Sequence, residues 1–255
     1  MENNFFSNSG SVFIVAELSA NHNGNLGVAI ETIKAAKRAG ADAIKLQTYT
    51  ADSMTIKSNK SDFIINNGSI WDGNTLYDLY KKASTPWEWH EQLFNFAKEQ
   101  GLTCFSTPFD KDAVDLLEKI KNPIYKIASF EIRDIELIRY AALKMKPIIL
   151  SSGIASKKDI ELAIKTCRET GNDQIALLKC TSSYPAPLDE SNLLMIKEFK
   201  EKYNVIPGLS DHTLGITAPI AATCLGAKII EKHFILDKKI GGPDSSFSLD
   251  ENEFK

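Results

Sequence analysis

Short apolar runs and amphipathic stretches alternate along this chain. Val12 to Ala16 is apolar and is followed by the turn-rich NHNG of Asn21 to Gly24. Leu26, Ala29, Ile30, Ile33 and Ala36 then recur at helical spacing, with Glu31, Lys34, Lys37 and Arg38 between them. Gly40 closes that helix, and Ala43 to Leu46 is the next apolar run. The pattern is a β-α-β unit of the size expected for a right-handed crossover between parallel strands.

The rhythm continues, predicting further strands at 103–107, 124–127, 147–151, 175–179, 205–209 and 228–234. Helices are predicted at 87–100, 110–119, 133–144, 156–170, 189–202 and 216–225. Ser156 with Asp159 reads as a capping box, and Ile160, Ala163, Ile164 and Cys167 line one face behind it. The strands are continuous apolar runs, as in a sheet covered on both faces. Eight strands, each of the first seven followed by a helix, predict an α/β fold, a (β/α)8 TIM barrel occupying residues 1–255 as a single domain. A doubly wound open sheet is the alternative, but no GxGxxG follows the first strand. Residues 50–85 interrupt the rhythm as a long loop insertion with a small helix at 75–83. An insertion on the C-terminal side of a strand, carrying Trp71 and Tyr77, is expected to be a substrate lid. The final SLDENEFK reads as the start of an eighth helix.

Composition narrows the function classes. The chain has 255 residues, 43% apolar and 25% charged, with a net charge of -3, so it is neither disordered nor a basic nucleic-acid binder. The best candidate membrane span, Ile216 to Ile230, is broken by Pro219, Gly226 and Lys228, so no membrane partner is expected. MENNFFSNSGS lacks the basic and apolar regions of a secretory signal, which points to the cytoplasm. Cys104, Cys167, Cys180 and Cys224 form no CxxC pair and read as reduced, buried small hydrophobes.

The chemistry is expected where barrels keep it, at the C-terminal strand ends. Polar residues concentrate there: Glu17, Asn21 and His22; Lys45 and Gln47; Ser106 and Thr107; Lys126, Ser129 and Glu131; Ser151, Ser152 and Gly153; Lys179, Thr181, Ser182 and Tyr184; Ser210, Asp211 and His212; Glu231 and His233. A closed barrel has no edge for a lysine to decorate. Lys45 and Lys126 facing inward among hydroxyls therefore suggest a doubly anionic ligand, such as a phosphate with a carboxylate. Lys126 as a Schiff-base lysine is an alternative. His212 and His233 end consecutive strands, within reach of one metal; two imidazoles suit manganese, iron or zinc better than magnesium. A merely hydrogen-bonded histidine pair is the other reading. His90, in an amphipathic helix, reads as structural, and His22 as a ligand, an acid or a packing residue. Asp244, in the Gly-rich GGPDSSFS, can bring a carboxylate to a polar substrate.

Eight segments in order resemble the sialic acid synthase family: AELSANHNG (16–24), DAIKLQTY (42–49), FSTPF (105–109), YKIASFE (125–131), ILSSG (149–153), LKCTSSYP (178–185), GLSDHT (208–213) and EKHF (231–234). AELSANHNG, IWDGNTLYDLY (70–80) and Ser182 resemble its pseudaminic acid branch. The resemblance implies condensation of phosphoenolpyruvate with 2,4-diacetamido-2,4,6-trideoxy-altrose, giving a nine-carbon 2-keto acid and phosphate. An N-acetylneuraminate or legionaminic acid synthase is the neighbouring alternative. A Schiff-base aldolase or a non-catalytic sugar-phosphate binding barrel is the alternative of another class. The resemblance further implies that Lys45, Thr107, Lys126, Ser129, Ser152 and Ser210 hold phosphoenolpyruvate. Tyr184, Asp244 and the 50–85 loop would contact the acetamido sugar, and Gln47, Ser151 and Ser182 stand among the substrate-binding candidates. Glu17 and Glu131 would be the catalytic carboxylates, and His212 and His233 the ligands of a divalent metal. Mn2+ is the expected ion, with Mg2+ or Co2+ as alternatives. Family members add a C-terminal antifreeze-like domain, for which this sequence shows no counterpart, and full-length members are homodimers.

Overall fold

The computed structural model describes residues 11–66, 68 and 71–255. The signal-peptide reading of Met1–Gly10, and Ile70 of the 70–80 resemblance, lie outside the described residues. Eight parallel strands close on themselves in sequence order: β1 (Phe13–Glu17), β2 (Ala43–Thr48), β3 (Thr103–Pro108), β4 (Tyr125–Ile127), β5 (Ile148–Ser151), β6 (Ile175–Cys180), β7 (Ile206–Asp211) and β8 (Ile229–His233). β8 returns to β1, pairing Val15 with Glu231 and Glu17 with His233. The barrel is the predicted one.

The helices are α1 (Leu26–Arg38), α2 (Ala51–Met54), α3 (Leu76–Ala83), α4 (His90–Glu99), α5 (Lys111–Lys119), α6 (Ile135–Ala142), α7 (Lys157–Glu169), α8 (Met195–Tyr203), α9 (Thr217–Cys224) and α10 (Glu251–Phe254). Their starts are written locally. Asn25 accepts from Gly27 and Val28, Asp110 from Ala113 and Asp134 from Leu137, and Ser156 with Asp159 forms the predicted capping box. α8 starts at Met195 rather than 189: residues 188–190 form a 3-10 turn and Asn192 takes a left-handed conformation (φ 46°), which breaks the helix there. α6 starts two residues late because Asp134 is its cap and Glu131–Arg133 is a separate 3-10 turn.

Alternation divides the strands into two faces. Inside the barrel, Val15, Ala43, Phe105, Ile124, Ile149, Ala176, Leu178 and Ile229 form one apolar plug. Outside, Ile44, Leu46, Cys104, Ile148, Leu150 and Leu177 pack under the helices. Above the plug the same inward rows continue as Glu17, Lys45, Gln47, Thr107, Lys126, Ser151, Cys180, Ser210, Glu231 and His233. Three of the cysteines are buried as expected, but Cys224, at the end of α9, is exposed. No helix among the described residues is long and apolar enough to cross a membrane.

Gly208 marks the tightest point of the wall. A Cβ there would stand 2.4 Å from Leu178 Cδ2 and 2.5 Å from the Ile229 carbonyl oxygen, and the backbone oxygen has no rotamer by which to retreat. Gly208→Ala is therefore expected to destabilise the barrel by about 1–3 kcal/mol, read as a lower denaturant midpoint at unchanged slope.

Candidate active site

The mouth of the barrel holds four buried charges. Lys45 Nζ lies 2.7 Å from Glu17 Oε2 and 3.7 Å from Glu231 Oε1, and it donates to Thr107 Oγ1 at 3.2 Å. Lys126 Nζ donates to Glu231 Oε1 at 3.0 Å, as does Ser210 Oγ. Gln47 donates to Glu17 Oε1 (2.9 Å) and to Ser19 Oγ (3.0 Å). The two inward lysines are thus not unpaired cations waiting for an anion, as the sequence suggested; each already faces a carboxylate. Glu231 stands on the polar rim in the sequence but receives no catalytic or binding role there. Its signal was its place two residues before His233, on the same face of β8.

The charges are not equivalent. Burial and the neighbouring Glu231 push the Glu17 carboxyl up, against the opposing pull of Lys45 and Lys126. Burial opposes ionisation of Glu231, but Lys126 and Lys45 outweigh it and hold this carboxyl well below its ordinary range. Burial also works against the charge on Lys45, yet Glu17 and Glu231 keep its ammonium above the ordinary value. Burial, with Lys45 as a like-charged neighbour, pushes Lys126 down despite Glu231. Glu17 is therefore the carboxylate that takes up a proton most readily, and protonation would leave the cluster with surplus positive charge.

Beside this cluster lies a hydroxyl cradle. Gly153 donates its N–H to Ser129 Oγ at 3.2 Å. A Cβ on Gly153 would lie 2.1 Å from Ser182 Oγ and 2.5 Å from Ser129 Oγ, so glycine is what lets the two hydroxyls face each other. Ser182 Oγ and Ser151 Oγ are buried with no hydrogen-bond partner, although buried hydroxyls are rarely left so. Ser152 departs from its expected role. Its hydroxyl donates to the Leu178 carbonyl at 3.0 Å, so it offers no free proton to an anion. Glu131 sits in the 3-10 turn after β4 with a buried, unpartnered Oε2, and burial pushes its carboxyl up to about 7.

An imidazole pair stands next to the cradle, with Cys180 between them. The His212 and His233 ring centroids are 5.4 Å apart. His212 Nδ1 donates to the Thr181 carbonyl at 2.9 Å, which leaves Nε2 with its lone pair. His233 Nδ1 is buried without a hydrogen-bond partner, 3.7 Å from Asp244 Oδ2. Burial, His212 and the nearby Lys45, Lys232 and Lys126 keep His233 uncharged. His212 is moved the other way: burial opposes its charge, but Cys180 and the Thr181 carbonyl push it up. Two imidazoles, one oriented by a carbonyl, fit a divalent cation when both rings are neutral. No group of three or more His, Cys, Asp and Glu among the described residues gathers into a protein cage, so substrate oxygens and water would have to supply the remaining ligands. Cys180 also faces this pair, with Sγ 3.9 Å from His212 Nδ1; burial pushes its thiol up, but His212, Ser129 and Lys126 hold it at about 7. The sequence had suggested only packing for it.

Aromatic residues wall the imidazoles. Tyr184 stacks on His212 at 4.2 Å, and Phe247 stands 5.0 Å from His233 and 5.3 Å from Tyr184. Trp71, from the long 50–85 insertion, lies 6.1 Å from Tyr184 and donates its indole N–H to the Pro243 carbonyl at 3.0 Å. Asp244 is buried and accepts from Ala20 N at 3.3 Å, and burial pushes its carboxyl up. The other two histidines are structural. His22 accepts from Gly24 N (3.0 Å) and packs on Trp89, with burial lowering it to about 4; His90 pairs with Thr48 Oγ1 at 2.8 Å.

A sequence profile described as the NeuB family matches residues 32–255. The chain belongs to the NeuB family. Pseudaminic acid synthase of Campylobacter jejuni subsp. jejuni serotype O:2 is 51% identical over 98% of this chain and 73% of its own length. Pseudaminic acid synthase of Helicobacter pylori is 54% identical over 95% of this chain and 71% of its own. The N-acetylneuraminic acid (sialic acid) synthetase of Leptospira borgpetersenii serovar Hardjo-bovis, solved in complex with citrate, superposes with a TM-score of 0.86 at 33% identity, covering 96% of this chain and 80% of that one. The resemblance to sialic acid synthases carried by the eight motifs holds, and this NeuB barrel gathers Glu17, Lys45, Thr107, Lys126, Ser210 and His233 of those motifs at its mouth.

Glu231 is the carboxylate on which both lysines converge. Replacing it with glutamine keeps the shape but leaves the buried Lys126 ammonium without a carboxylate, while Lys45 keeps Glu17. Glu231→Gln is expected to cost about 3 kcal/mol or more of folding stability, measured by denaturant titration at neutral pH.

Proposed function

We propose that this barrel condenses phosphoenolpyruvate with 2,4-diacetamido-2,4,6-trideoxy-altrose, forming the nine-carbon 2-keto acid pseudaminic acid and releasing phosphate. The observation that carries this reading is a lysine-and-hydroxyl cradle and an imidazole pair converging on one barrel mouth, joined by β8, which carries both Glu231 and His233. Close similarity to pseudaminic acid synthases supports the choice of acceptor.

Lys45, Lys126 and Thr107, with Ser129, Ser151, Ser182 and Ser210 around them, orient the phosphate and carboxylate of the donor. Gln47 and Glu17 stand at its edge; Ser152 shapes the backbone beneath it. Tyr184, Trp71 and Asp244 form the side on which the sugar lies. A divalent ion held by His212 and His233, with Mn2+ the expected ion, would act as a Lewis acid on the acceptor aldehyde. C3 of phosphoenolpyruvate attacks the aldehyde carbon, and the aldehyde oxygen takes up a proton as it becomes a hydroxyl. Positive charge develops at C2, where the buried carboxylates stabilise it. Water adds at C2 and gives its proton to Glu131, whose near-neutral carboxyl suits a general base. The C2–O bond to phosphorus-bearing oxygen breaks, phosphate leaves with the bonding pair, and the remaining C2 hydroxyl loses its proton to form the ketone.

Cytoplasmic residence and a homodimer belong to the same reading. Four free cysteines suit a reducing compartment. Leu214, Ile216 and Ile220 are exposed at α9, apolar surface that a second copy would cover.

Phosphate release with Mn2+ tests the reaction. Release with the diacetamido trideoxy-altrose and not with N-acetylmannosamine is expected; the reverse preference would move the reading to a neuraminate synthase. The base is tested by pH. A carboxyl at about 7 must be ionised to accept a proton, so kcat/KM should fall about tenfold per unit below pH 7. Glu131→Gln should lose that limb and about 10²–10⁴-fold in rate. A limb that survives in Glu131→Gln and disappears in Glu17→Gln would transfer the role to Glu17.

A further inference from the structure

The outer face of β7 and β8 carries a second buried ion pair that no step of the reaction uses. Asp211 and Lys232 are register partners, each next in sequence to one of the two histidines. Their side chains are 1% and 3% exposed and point away from the mouth, so neither reaches a substrate. Lys232 Nζ bonds Asp211 Oδ2 and also donates to the Thr213 carbonyl at 2.6 Å. Asp211 in turn accepts from Thr213 N at 3.0 Å and from Thr213 Oγ1 at 3.2 Å. His212 is therefore held between two residues that Lys232 grips at once, while Lys232 is the backbone neighbour of His233.

A further tie stiffens the same loop. Ala186 N donates to the His212 carbonyl at 2.9 Å, bringing the segment that carries Tyr184 against it. Stability gives a poor reason for charges here. A buried ion pair is generally replaceable by apolar residues at little cost, and α9, which packs on β7, is itself apolar. What an apolar pair would lack is direction: hydrogen bonds from one ammonium to a carboxylate and a carbonyl fix where the chain leaves β7.

We propose that Asp211 and Lys232 are positioning residues, a clamp on the outer wall that sets the separation and orientation of the His212 and His233 rings on the inner one. The inference rests on the reading of those rings as a divalent-cation site. It is specific to this geometry, because the pair spans the two strands that supply the two rings.

The test uses the full chain and the double substitution Asp211→Leu with Lys232→Met, which removes both charges together. Three readouts are compared: Mn2+ affinity by calorimetric titration, the KM for phosphoenolpyruvate, and the ring N–H signal of His212 in the metal-free protein by 15N NMR. The expected result is about 10–100-fold weaker Mn2+ binding, the range for residues that orient metal ligands, with the phosphoenolpyruvate KM changed less than about twofold. The His212 Nδ1 proton, now held at the Thr181 carbonyl, should exchange faster. A folded double variant with parental Mn2+ affinity and a parental His212 signal overturns the clamp. Should the double variant not fold, Asp211→Asn, which keeps the side-chain shape, is read in the same three ways, with Lys232→Arg expected to retain affinity within about threefold of the parent. His233→Ala separates the two ideas: parental Mn2+ affinity there sinks the cation reading, and the clamp is then decided by the His212 proton signal alone.

Discussion

A closed parallel barrel offers a buried charge no edge. Every inward side chain must meet another inward side chain or something that enters the mouth, and desolvating an unpaired ion costs several kcal/mol. The layer below is filled by Val15, Ala43, Phe105, Ile124, Ile149, Ala176, Leu178 and Ile229, so nothing polar can retreat downward. This constraint gathers Glu17, Lys45, Lys126 and Glu231 into one mutually satisfying cluster. It also makes the exceptions informative. Ser151 Oγ, Ser182 Oγ, Glu131 Oε2, Glu231 Oε2 and His233 Nδ1 are buried without hydrogen-bond partners, and all stand at the same rim. Glu17 Oε2, which faces Lys45, and Asn21 Oδ1 and Ser191 Oγ in the loops are the other such atoms among the described residues, so most of the open positions gather where a ligand can supply the partner.

The barrel itself was legible because its strands, covered on both faces, read as short continuous apolar runs between amphipathic helices. Seven of the long connections came out as helices within a few residues of their expected bounds. The deviations have local causes, such as the left-handed Asn192 ahead of α8 and the Asp134 cap ahead of α6. The strand ends were legible as a polar rim. What the residue pattern could not carry was which rim groups face one another. Lys126 and Glu231 are 105 positions apart, and their pairing depends on how β4 and β8 sit across the barrel. Without that, two inward lysines looked like free cations, and Glu231 was a rim carboxylate with no partner to name. Ser152 and Cys180 changed roles for the same reason. The backbone carbonyl that takes the Ser152 hydroxyl and the imidazole beside Cys180 belong to neighbouring strands.

The loops show long-range assembly of another kind. Asn21, after β1, donates to the Phe234 carbonyl and to Ser248 Oγ, while Ala20 N donates to Asp244. The segment after β8 is thereby sewn to the first loop of the barrel, and Phe247 is delivered against His233. Trp71 reaches the same segment from the insertion after β2. The aromatic wall around the imidazoles thus comes from three regions that share no periodic signal. Each contact is cheap alone; together they limit how far any one loop can move without the others.

The outer faces of the strands are mostly apolar, with buried polar groups at Thr48, Ser106 and Lys179; β7 and β8 carry a charged pair there. Most strands have one polar inward end and an apolar outer face. These two carry polar pairs on both faces at adjacent positions, Ser210 with Glu231 inside and Asp211 with Lys232 outside. Two buried charges on an outer face work against the burial that holds the layers together, and an apolar pair of similar volume often packs in such a place at little cost. The buried ion pair lies on the strand pair whose next inward residues are the two histidines. A requirement on where those rings point, rather than on whether the barrel closes, is the physical constraint that accounts for it.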